Sequence, residues 1–386
     1  MHNDRVLEGL RIIEVSSFVA APLGGMTLAQ LGAEVIRVDP LGGAADVGRH
    51  PLAPSGASLV WTGLNKGKRS VTVDFRSPEG RDVVTRLVAD AGTVLTNAVG
   101  RSWLSYETLS KTRPDLIHLQ IQGRADGTAA VDYTVNAEIG FPLVTGPADH
   151  AGPVNHVLPA WDMACGLYAA VGLLAADRRR TRTGAGARIT LALHDVAVAM
   201  AGNLGFLAEA QLGAERPRIG NDLYGGLGRD FPLADGERVM VVALTARHFA
   251  DLCAATELTA TVAELERLLG ADFTRDGDRF RHRESLFALL APWFAGRTLA
   301  EVDRALKPTS VLYAPYRRFT DLDPASSPLL QQIDQPGVGR VHAPASPLDT
   351  GRRTVAPAPR LGEHTDDVLA ELGLDPAGLR AKGVVA

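Results

Sequence analysis

Short apolar runs alternate with helix-like segments through the first third of the chain, and this alternation constrains the fold strongly. The strand-like runs are residues 10–15, 35–38, 70–75, 93–96 and 116–121. Continuous apolar runs of this length favour strands buried on both faces. Segments 24–31 and 79–89 favour helices, and Pro78 fits a first helical turn without losing a hydrogen bond. Strand–helix–strand units predict right-handed crossovers and therefore an α/β fold with a Rossmann-like parallel sheet.

A change of composition marks the end of this large domain. Residues 220–235 are rich in glycine and turn formers, after which strand-like and helix-like segments follow in a different order. We therefore predict a large domain over residues 1–224, a smaller α+β domain over 225–325 and a separate C-terminal segment over 326–386. The loop after the first strand lacks the Gly-x-Gly-x-x-Gly pattern, so a nicotinamide cofactor has little support.

The composition excludes several classes of protein. With 386 residues, 46% hydrophobic and 22% charged, the chain resembles ordinary soluble globular proteins. Charged residues, glycine or proline interrupt each apolar run, so no membrane span is predicted, and the first residues lack the order of a secretory signal. Cys165 and Cys253 form neither a disulfide framework nor a metal-binding pattern, which favours the cytoplasm. A net charge of −4 argues against nucleic acid as a partner.

Asp162 precedes a long apolar segment in which small residues recur at close spacing. Arginines at 178–180 and 182 and a glycine turn at 184–186 end that segment. An aspartate in this position is ordinarily a helix N-cap. The apolar surroundings also suit a carboxylate nucleophile, which must lose part of its water shell before it attacks a carbonyl. The local sequence alone leaves both roles open.

The spacing Asp162, Gly166, Ala169, Gly172 resembles the D-x-x-x-G-x-x-A-x-x-G segment of the class III, formyl-CoA transferase-like CoA transferases. The opening strand–helix–strand, the run from Asn65 to Ser70 and the Gly-Glu-His-Thr sequence at 362–365 are similar to the same family. These matches span nearly the whole chain.

The resemblance implies a function and an assembly. Asp162 would be the covalent nucleophile that attacks an acyl-CoA thioester, with an aspartyl-CoA thioester as intermediate. No metal and no cofactor beyond the CoA of the substrate would be needed. Family members are homodimers of interlocked ring-like chains, and residues 326–386 would return to the large domain.

Basic and amide residues near the second, third and fourth strands are candidates for binding CoA phosphates. These candidates are Arg37, Asn65, Lys66, Lys68, Arg69 and Asn97. The run at 65–70 resembles the family's Asn-Lys-Arg-Ser element, although a solvated charged turn is its ordinary alternative. Asn97 matches a family asparagine, but Ala98 and Val99 depart from the aromatic and basic residues that usually follow.

Val131 stands where related CoA-ester racemases carry a proton-transferring histidine. Because valine cannot exchange a proton, racemisation is disfavoured. The neighbouring Asp132, Tyr133 and Asn136 are predicted to line the acyl pocket, with a hydrogen-bonded loop cap as the alternative.

The segments 132–147 and 154–162 are similar to one branch of the family, which moves CoA between the two carboxylates of one molecule, from 2-methylfumaryl-CoA to 3-methylfumaryl-CoA. Three alternatives stay open: intermolecular transfer to a separate carboxylic acid, racemisation, and CoA binding without catalysis. Arg218 and Arg229 are candidates for holding the distal carboxylate of such a diacid.

Overall fold

The computed structural model describes residues 6–348 and 355–386. The first residues of the chain were predicted not to form a secretory signal, and residues 1–5 of that segment lie outside the described residues. The strands are β1 (Arg11–Val15), β2 (Glu34–Pro40), β3 (Arg69–Val73), β4 (Thr93–Thr96), β5 (Ile117–Gln122), β6 (Ala187–Ala192), β7 (Leu227–Pro232), β8 (Arg238–Ala243), β9 (Leu312–Pro315), β10 (Leu330–Gln335) and β11 (Gly339–Pro344). The α-helices are α1 (Ala20–Gln30), α2 (Leu59–Leu64), α3 (Pro78–Ala91), α4 (Tyr106–Leu109), α5 (Asp132–Ile139), α6 (Phe141–Val144), α7 (Ala160–Thr183), α8 (Leu193–Asn203), α9 (Phe206–Gln211), α10 (Ala246–Ala255), α11 (Thr259–Leu269), α12 (Asp276–Arg281), α13 (Arg283–Ala295), α14 (Leu299–Leu306), α15 (Thr365–Glu371) and α16 (Pro376–Ala381). Short 3₁₀ helices occupy Ser102–Leu104, Phe319–Asp321 and Pro324–Ser326. No helix in the described residues is long and apolar enough to cross a membrane.

Within the described residues, six strands form one parallel sheet in the order β3-β2-β1-β4-β5-β6. Strand β1 lies between β2 and β4, with Ile13 opposite Ile36 on one side and Val94 on the other. All three side chains are buried, as expected for strands covered on both faces. The predicted α/β fold with a parallel sheet is confirmed. Because the strand order reverses between β1 and β4, a ligand-binding crevice is expected at the carboxyl ends of these two strands.

Helix α3 shows how local sequence sets the ends of an element. The Ser77 side chain accepts a hydrogen bond from the Gly80 amide, and Pro78 occupies the first turn. At the other end Gly92 adopts φ 67°, a left-handed conformation that glycine reaches without strain. The helix is therefore slightly longer than the predicted segment 79–89.

Helices α1 and α7 approach each other closely through small residues. A Cβ on Gly166 would lie 2.6 Å from the carbonyl oxygen of Ala20, and one on Gly24 would lie 2.9 Å from the carbonyl oxygen of Gly166. Ala169 continues this contact beside Gly24. The partners advance together along both helices, so the helices run parallel and both begin at the same side of the sheet. The small residues that the sequence places after Asp162 serve this packing.

Helix α7 begins earlier and ends where the sequence predicts. Its N-cap is Pro159, so Asp162 lies inside the first turn rather than at the cap. At its end, Gly184 adopts φ 69°, and Arg180 and Arg182 lie in the last turn, where positive charge is favourable. Arg180 also donates to the Gly92 carbonyl at the start of β4.

The chain divides into two compact units. The first comprises residues 1–140, 155–213 and 324–386, and the second comprises 141–154 and 214–323. These limits differ from those drawn from the sequence mainly because residues 141–154 join the second unit. In the first unit the C-terminal residues pack against β3, where Val385 pairs with Val73 and the Thr72 hydroxyl donates to the Ala386 carbonyl.

The second unit is α+β. Strands β7, β8 and β9 form an antiparallel sheet, and α10 to α14 supply helices with a buried aromatic core. In that core Phe231 stacks on Phe294 with ring centroids 4.3 Å apart. The helical residues 246–269 and 283–306 are each divided into two helices. Between the first two, Glu257 adopts φ 61°, which interrupts the helix.

Candidate active site

Asp162 lies half-buried in the first turn of α7, and its surroundings disfavour the charged carboxylate. Burial is the main cause that raises its pKa to about 6, and the nearby Asp132 carboxylate raises it further. The positive charge of Arg49 acts in the opposite direction. The carboxylate is therefore ionised at neutral pH but poorly solvated, which is the state that a carboxylate nucleophile requires.

Asp132 caps the helix that carries Asp162. Its Oδ2 accepts hydrogen bonds from the Trp161 amide at 2.7 Å and from the Asp162 amide at 3.2 Å. Pro159 has no side-chain acceptor for these first-turn amides, so a carboxylate from α5 replaces the missing local cap. Asp132 is itself buried. It therefore fixes the first turn of α7 and adds negative charge beside Asp162.

The segment before α7 is held by further side chains of α5. The second oxygen of Asp132 lies 2.7 Å from His156 Nε2. Asn136 accepts from the Trp161 indole at 3.1 Å and donates to Asn155 Oδ1 at 3.0 Å. Asp132 and Asn136 thus make the hydrogen bonds that the alternative of a structural cap required.

Tyr133 differs from its two neighbours because its side chain is exposed. Its hydroxyl donates to the Val157 carbonyl at 3.3 Å, and its ring meets His156 edge to face with centroids 5.8 Å apart. Of the three residues predicted to line the acyl pocket, Tyr133 is thus the one whose side chain a substrate can reach.

A second part of the site lies at the crevice between β1 and β4. The Asn97 side chain binds the backbone of Ser17 twice, accepting from its amide at 3.0 Å and donating to its carbonyl at 2.8 Å. The next residue, Phe18, adopts φ 65° although it is not glycine, and its ring is exposed. Such a conformation is unfavourable for a bulky side chain and persists only where neighbouring contacts hold it.

Arg49 covers this exposed ring. Its guanidinium carbon lies 5.5 Å from the centroid of Phe18. The backbone of Arg49 is fixed, because its carbonyl accepts from the Ser58 hydroxyl at 2.6 Å and its amide donates to the Asp46 carbonyl at 3.2 Å. The sequence analysis missed Arg49, Phe18 and His156. Arg49 is one cation in a glycine-rich loop, and its neighbours in space are far away in sequence.

Arg37, Asn65 and Lys68 form one buried network of ion pairs and hydrogen bonds. Arg37 binds Asp39 and Asp46 at 2.9 Å each, and Lys68 lies 2.9 Å from the Glu14 carboxylate. Asn65 joins the two, because its Oδ1 accepts from both cations. Burial lowers the pKa of Lys68 to about 8 against the opposing attraction of Glu14. All three side chains are buried in this structure, so their predicted contact with CoA stays a prediction that requires the network to open.

Lys66 and Arg69 lie at the opposite edge of the sheet from Asp162. Both line a groove of about 1180 Å³ that also contains Arg180 and Gly184 at the end of α7. Eighteen residues of helix separate Arg180 from Asp162, about 27 Å at 1.5 Å per residue. Arg69 is paired with Glu34 and Glu371 at 2.8 Å each. The run at 65–70 leads into the first residues of β3, so Lys66 and Arg69 lie at the amino edge of the sheet, away from the nucleophile.

The two arginines considered for the distal carboxylate have other partners in the second unit. Arg218 donates to backbone carbonyls of residues 142, 143, 150 and 152. Arg229 pairs with Asp222 at 2.6 Å and with Glu284 at 2.7 Å. Since both guanidinium groups are occupied, neither is available for a substrate carboxylate.

The chain is similar to known proteins over nearly its whole length. Residues 7–365 match the model of the CoA-transferase family III. The chain is 50% identical to a 2-methylfumaryl-CoA isomerase of Chloroflexus aurantiacus, over 99% of this chain and 98% of the relative. It is 29% identical to a succinyl-CoA:mesaconate CoA-transferase of Haloarcula hispanica, over 95% and 96%. A CAIB/BAIF family protein from Brucella suis has a similar structure, with a TM-score of 0.77, 27% identity and coverage of 94% and 98%.

Proposed function

The chain belongs to the CoA-transferase family III, and we propose that it transfers CoA between the two carboxylates of one short unsaturated diacid, converting 2-methylfumaryl-CoA to 3-methylfumaryl-CoA. The observation that carries the proposal is the half-buried carboxylate of Asp162, whose pKa is raised to about 6 mainly by burial. The 50% identity with a 2-methylfumaryl-CoA isomerase supports the choice of substrate.

The proposed reaction proceeds through acyl transfers that balance without an external acid or oxidant. The Asp162 carboxylate attacks the thioester carbonyl, which gives a mixed anhydride and expels CoA thiolate. The thiolate attacks the aspartyl carbonyl, forming an aspartyl-CoA thioester and releasing the diacid as a dianion. The other carboxylate of the diacid then attacks the aspartyl carbonyl and expels the thiolate again. Attack of the thiolate on the new acyl carbonyl yields the isomeric thioester and restores Asp162.

The residues around Asp162 suit these steps. Partial burial removes water that would stabilise the carboxylate and hydrolyse the anhydride. The hydrogen bonds of Asp132 fix the first turn of α7, so Asp162 meets each carbonyl from one position. Exclusion of water matters most while the diacid is free, since a hydrolysed intermediate would end the cycle.

CoA is proposed to bind across the crevice between β1 and β4. In sheets of this strand order, ligands bind at the carboxyl ends where the order reverses. The Ser17–Asn97 clamp lies at this crevice, and the close packing of α1 on α7 brings it near Asp162. Asn97 therefore remains a proposed CoA contact, and Tyr133 a proposed contact of the acyl group.

A homodimer is part of the proposal. Large apolar side chains that are exposed on or beside α7, α8 and α9 are Val157, Leu158, Leu167, Val171, Leu204 and Leu212. Exposed apolar side chains of this size favour burial against another protein surface, and a second copy of the chain is the partner that the family resemblance implies. Sedimentation equilibrium of the full chain tests this directly, with a monomer as the contradicting result.

A cytoplasmic location and independence from a metal or organic cofactor complete the proposal. Cys165 and Cys253 are free thiols buried in the two separate units, a state that a reducing compartment preserves. The steps above use the thiolate of CoA and two carboxylates as their reacting groups, so they call for no other cofactor.

Intermolecular transfer is the second candidate function, because a relative with 29% identity is a succinyl-CoA:mesaconate CoA-transferase. Racemisation is disfavoured, because the Val131 side chain has no proton that it can exchange as an acid or base. The Asp132 carboxylate already contacts two backbone amides and His156. A purely CoA-binding role predicts that Asp162→Asn leaves the biological activity unchanged.

The deciding experiment uses unlabelled 2-methylfumaryl-CoA and isotopically labelled free 2-methylfumarate. Chromatography with mass detection follows both CoA esters during turnover. Formation of the 3-methyl ester without label supports intramolecular transfer. Label in either ester indicates exchange with free acid and establishes the intermolecular alternative. If neither ester nor label changes, the diacid assignment is wrong.

A further inference from the structure

The negative charges around Asp162 raise the question of which cation pairs with the distal carboxylate of a diacid substrate. Asp162 and Asp132 already place two carboxylates together, and the charge of Asp132 helps to raise the pKa of Asp162. A bound diacid brings a third negative charge, which like charges repel at short range. A substrate with a distal carboxylate therefore needs a cation near the first turn of α7.

The packing of α1 on α7 places such a cation. The Ala20 carbonyl lies against Gly166, one helical turn beyond Asp162, and the two helices run parallel. Phe18, two residues before Ala20, is thus brought beside the first turn of α7. Arg49 lies over Phe18, with the guanidinium carbon 5.5 Å from the ring centroid. The attraction between Arg49 and the Asp162 carboxylate agrees with this placement.

The guanidinium of Arg49 is available for a ligand, in contrast to that of Arg37. In the described part of the chain, no carboxylate lies within salt-bridge distance of it, whereas Arg37 is saturated by Asp39 and Asp46. Its backbone is nevertheless fixed by Ser58. An exposed guanidinium on a fixed backbone has the fork geometry that binds a carboxylate through two parallel hydrogen bonds.

We propose that Arg49, which lies over the ring of Phe18, binds the distal carboxylate of the diacid and retains the diacid while CoA is on the enzyme. This inference rests on the proposed function and adds the residue that determines its substrate class. When the thioester carboxyl is released, the ion pair to Arg49 keeps the diacid beside the aspartyl-CoA thioester. Exchange of the two carboxylates at Arg49 then presents the other one to Asp162.

The test compares two thioesters that differ only in the distal carboxylate. 2-Methylfumaryl-CoA carries it, and methacrylyl-CoA lacks it. Single-turnover formation of the aspartyl-CoA thioester, followed by protein mass, is measured for the wild type, Arg49→Met and Arg49→Lys. We expect Arg49→Met to lower the second-order rate for 2-methylfumaryl-CoA by about 10- to 100-fold, the effect of losing a charge-assisted hydrogen-bonded pair. The rate for methacrylyl-CoA should stay within about twofold, and Arg49→Lys should retain part of the discrimination.

Arg86→Met is the matched control, because Arg86 is an exposed arginine of α3 paired with Asp82 outside the site. It should leave both rates unchanged. If Arg49→Met lowered the rates for both thioesters equally, Arg49 would bind CoA or support the fold. If both rates were unchanged, Arg49 would not contact the substrate. Either result overturns the proposal. The half-reaction is common to intramolecular and intermolecular transfer. Label uptake by the wild type would therefore contradict the proposed function while leaving the role of Arg49 separately testable.

Discussion

Replacing Asp162 by asparagine should stabilise the folded protein at pH 8 while abolishing CoA transfer. Burial, followed by the charge of Asp132, raises the pKa of Asp162 from the ordinary value of 3.8 to about 6. The folded state therefore disfavours the ionised carboxylate, and the wild type loses stability as the pH rises from about 4 to about 6. Over that interval the wild type loses about 3 kcal/mol in free energy of unfolding, because a pKa difference of one pH unit is equivalent to about 1.4 kcal/mol. Asparagine does not titrate and avoids this loss.

Urea denaturation of both proteins at pH 5 and pH 8, followed by tryptophan fluorescence, measures the effect. The variant should exceed the wild type by about 3 kcal/mol in free energy of unfolding at pH 8, and by about half of that at pH 5. Asp82→Asn, which removes an exposed carboxylate of α3, is the control and should change little at either pH. If Asp162→Asn gave the same difference at both pH values, the raised pKa of the nucleophile would be refuted.

Further predictions concern the cap, the helix contact and the buried network. The rate constant kcat/KM should fall below about pH 6 as Asp162 is protonated. Asp132→Asn should move this acid limb of the pH–rate profile to lower pH, because it removes a neighbouring negative charge. Profiles of both proteins check this. Gly166→Ala should destabilise the protein by about 1–3 kcal/mol, because the added Cβ would meet a carbonyl of α1. Gly63→Ala is the control, since open space surrounds Gly63, and it should be neutral or stabilising by up to about 1 kcal/mol. Thermal melts of both variants and the wild type measure these differences in stability. Lys68→Met should lower the free energy of unfolding by about 3–5 kcal/mol, because it leaves the buried Glu14 without its ion-pair partner. The KM of the folded variant for the CoA ester should be unchanged. An increased KM would support the predicted contact of Lys68 with CoA.

The sequence predicted the first five strands of the parallel sheet well, because strands buried on both faces are rich in apolar residues over a short length. It predicted α7 and its glycine stop for a similar reason: small residues, basic residues and glycine follow one another locally. Burial of individual polar groups was not predictable in this way. Lys68 and its partner Glu14 are 54 residues apart, and the Asp132 cap lies 30 residues before the Asp162 amide that it binds. Only the folded chain brings these groups together, so the sequence could not show that Asn65 and Lys68 pair with buried groups.

The contact between α1 and α7 connects this fold to its chemistry. Glycines at 24 and 166 let the two backbones approach, so the first turns of both helices lie together at one edge of the sheet. That edge is also where the strand order reverses and a ligand-binding crevice is expected. A larger residue at either glycine would separate the nucleophile on α7 from the loop before α1, and hence from Phe18 and Arg49. The spacing of small residues after Asp162 is therefore a condition for the reaction, since it determines whether the nucleophile and the cation can hold one substrate between them.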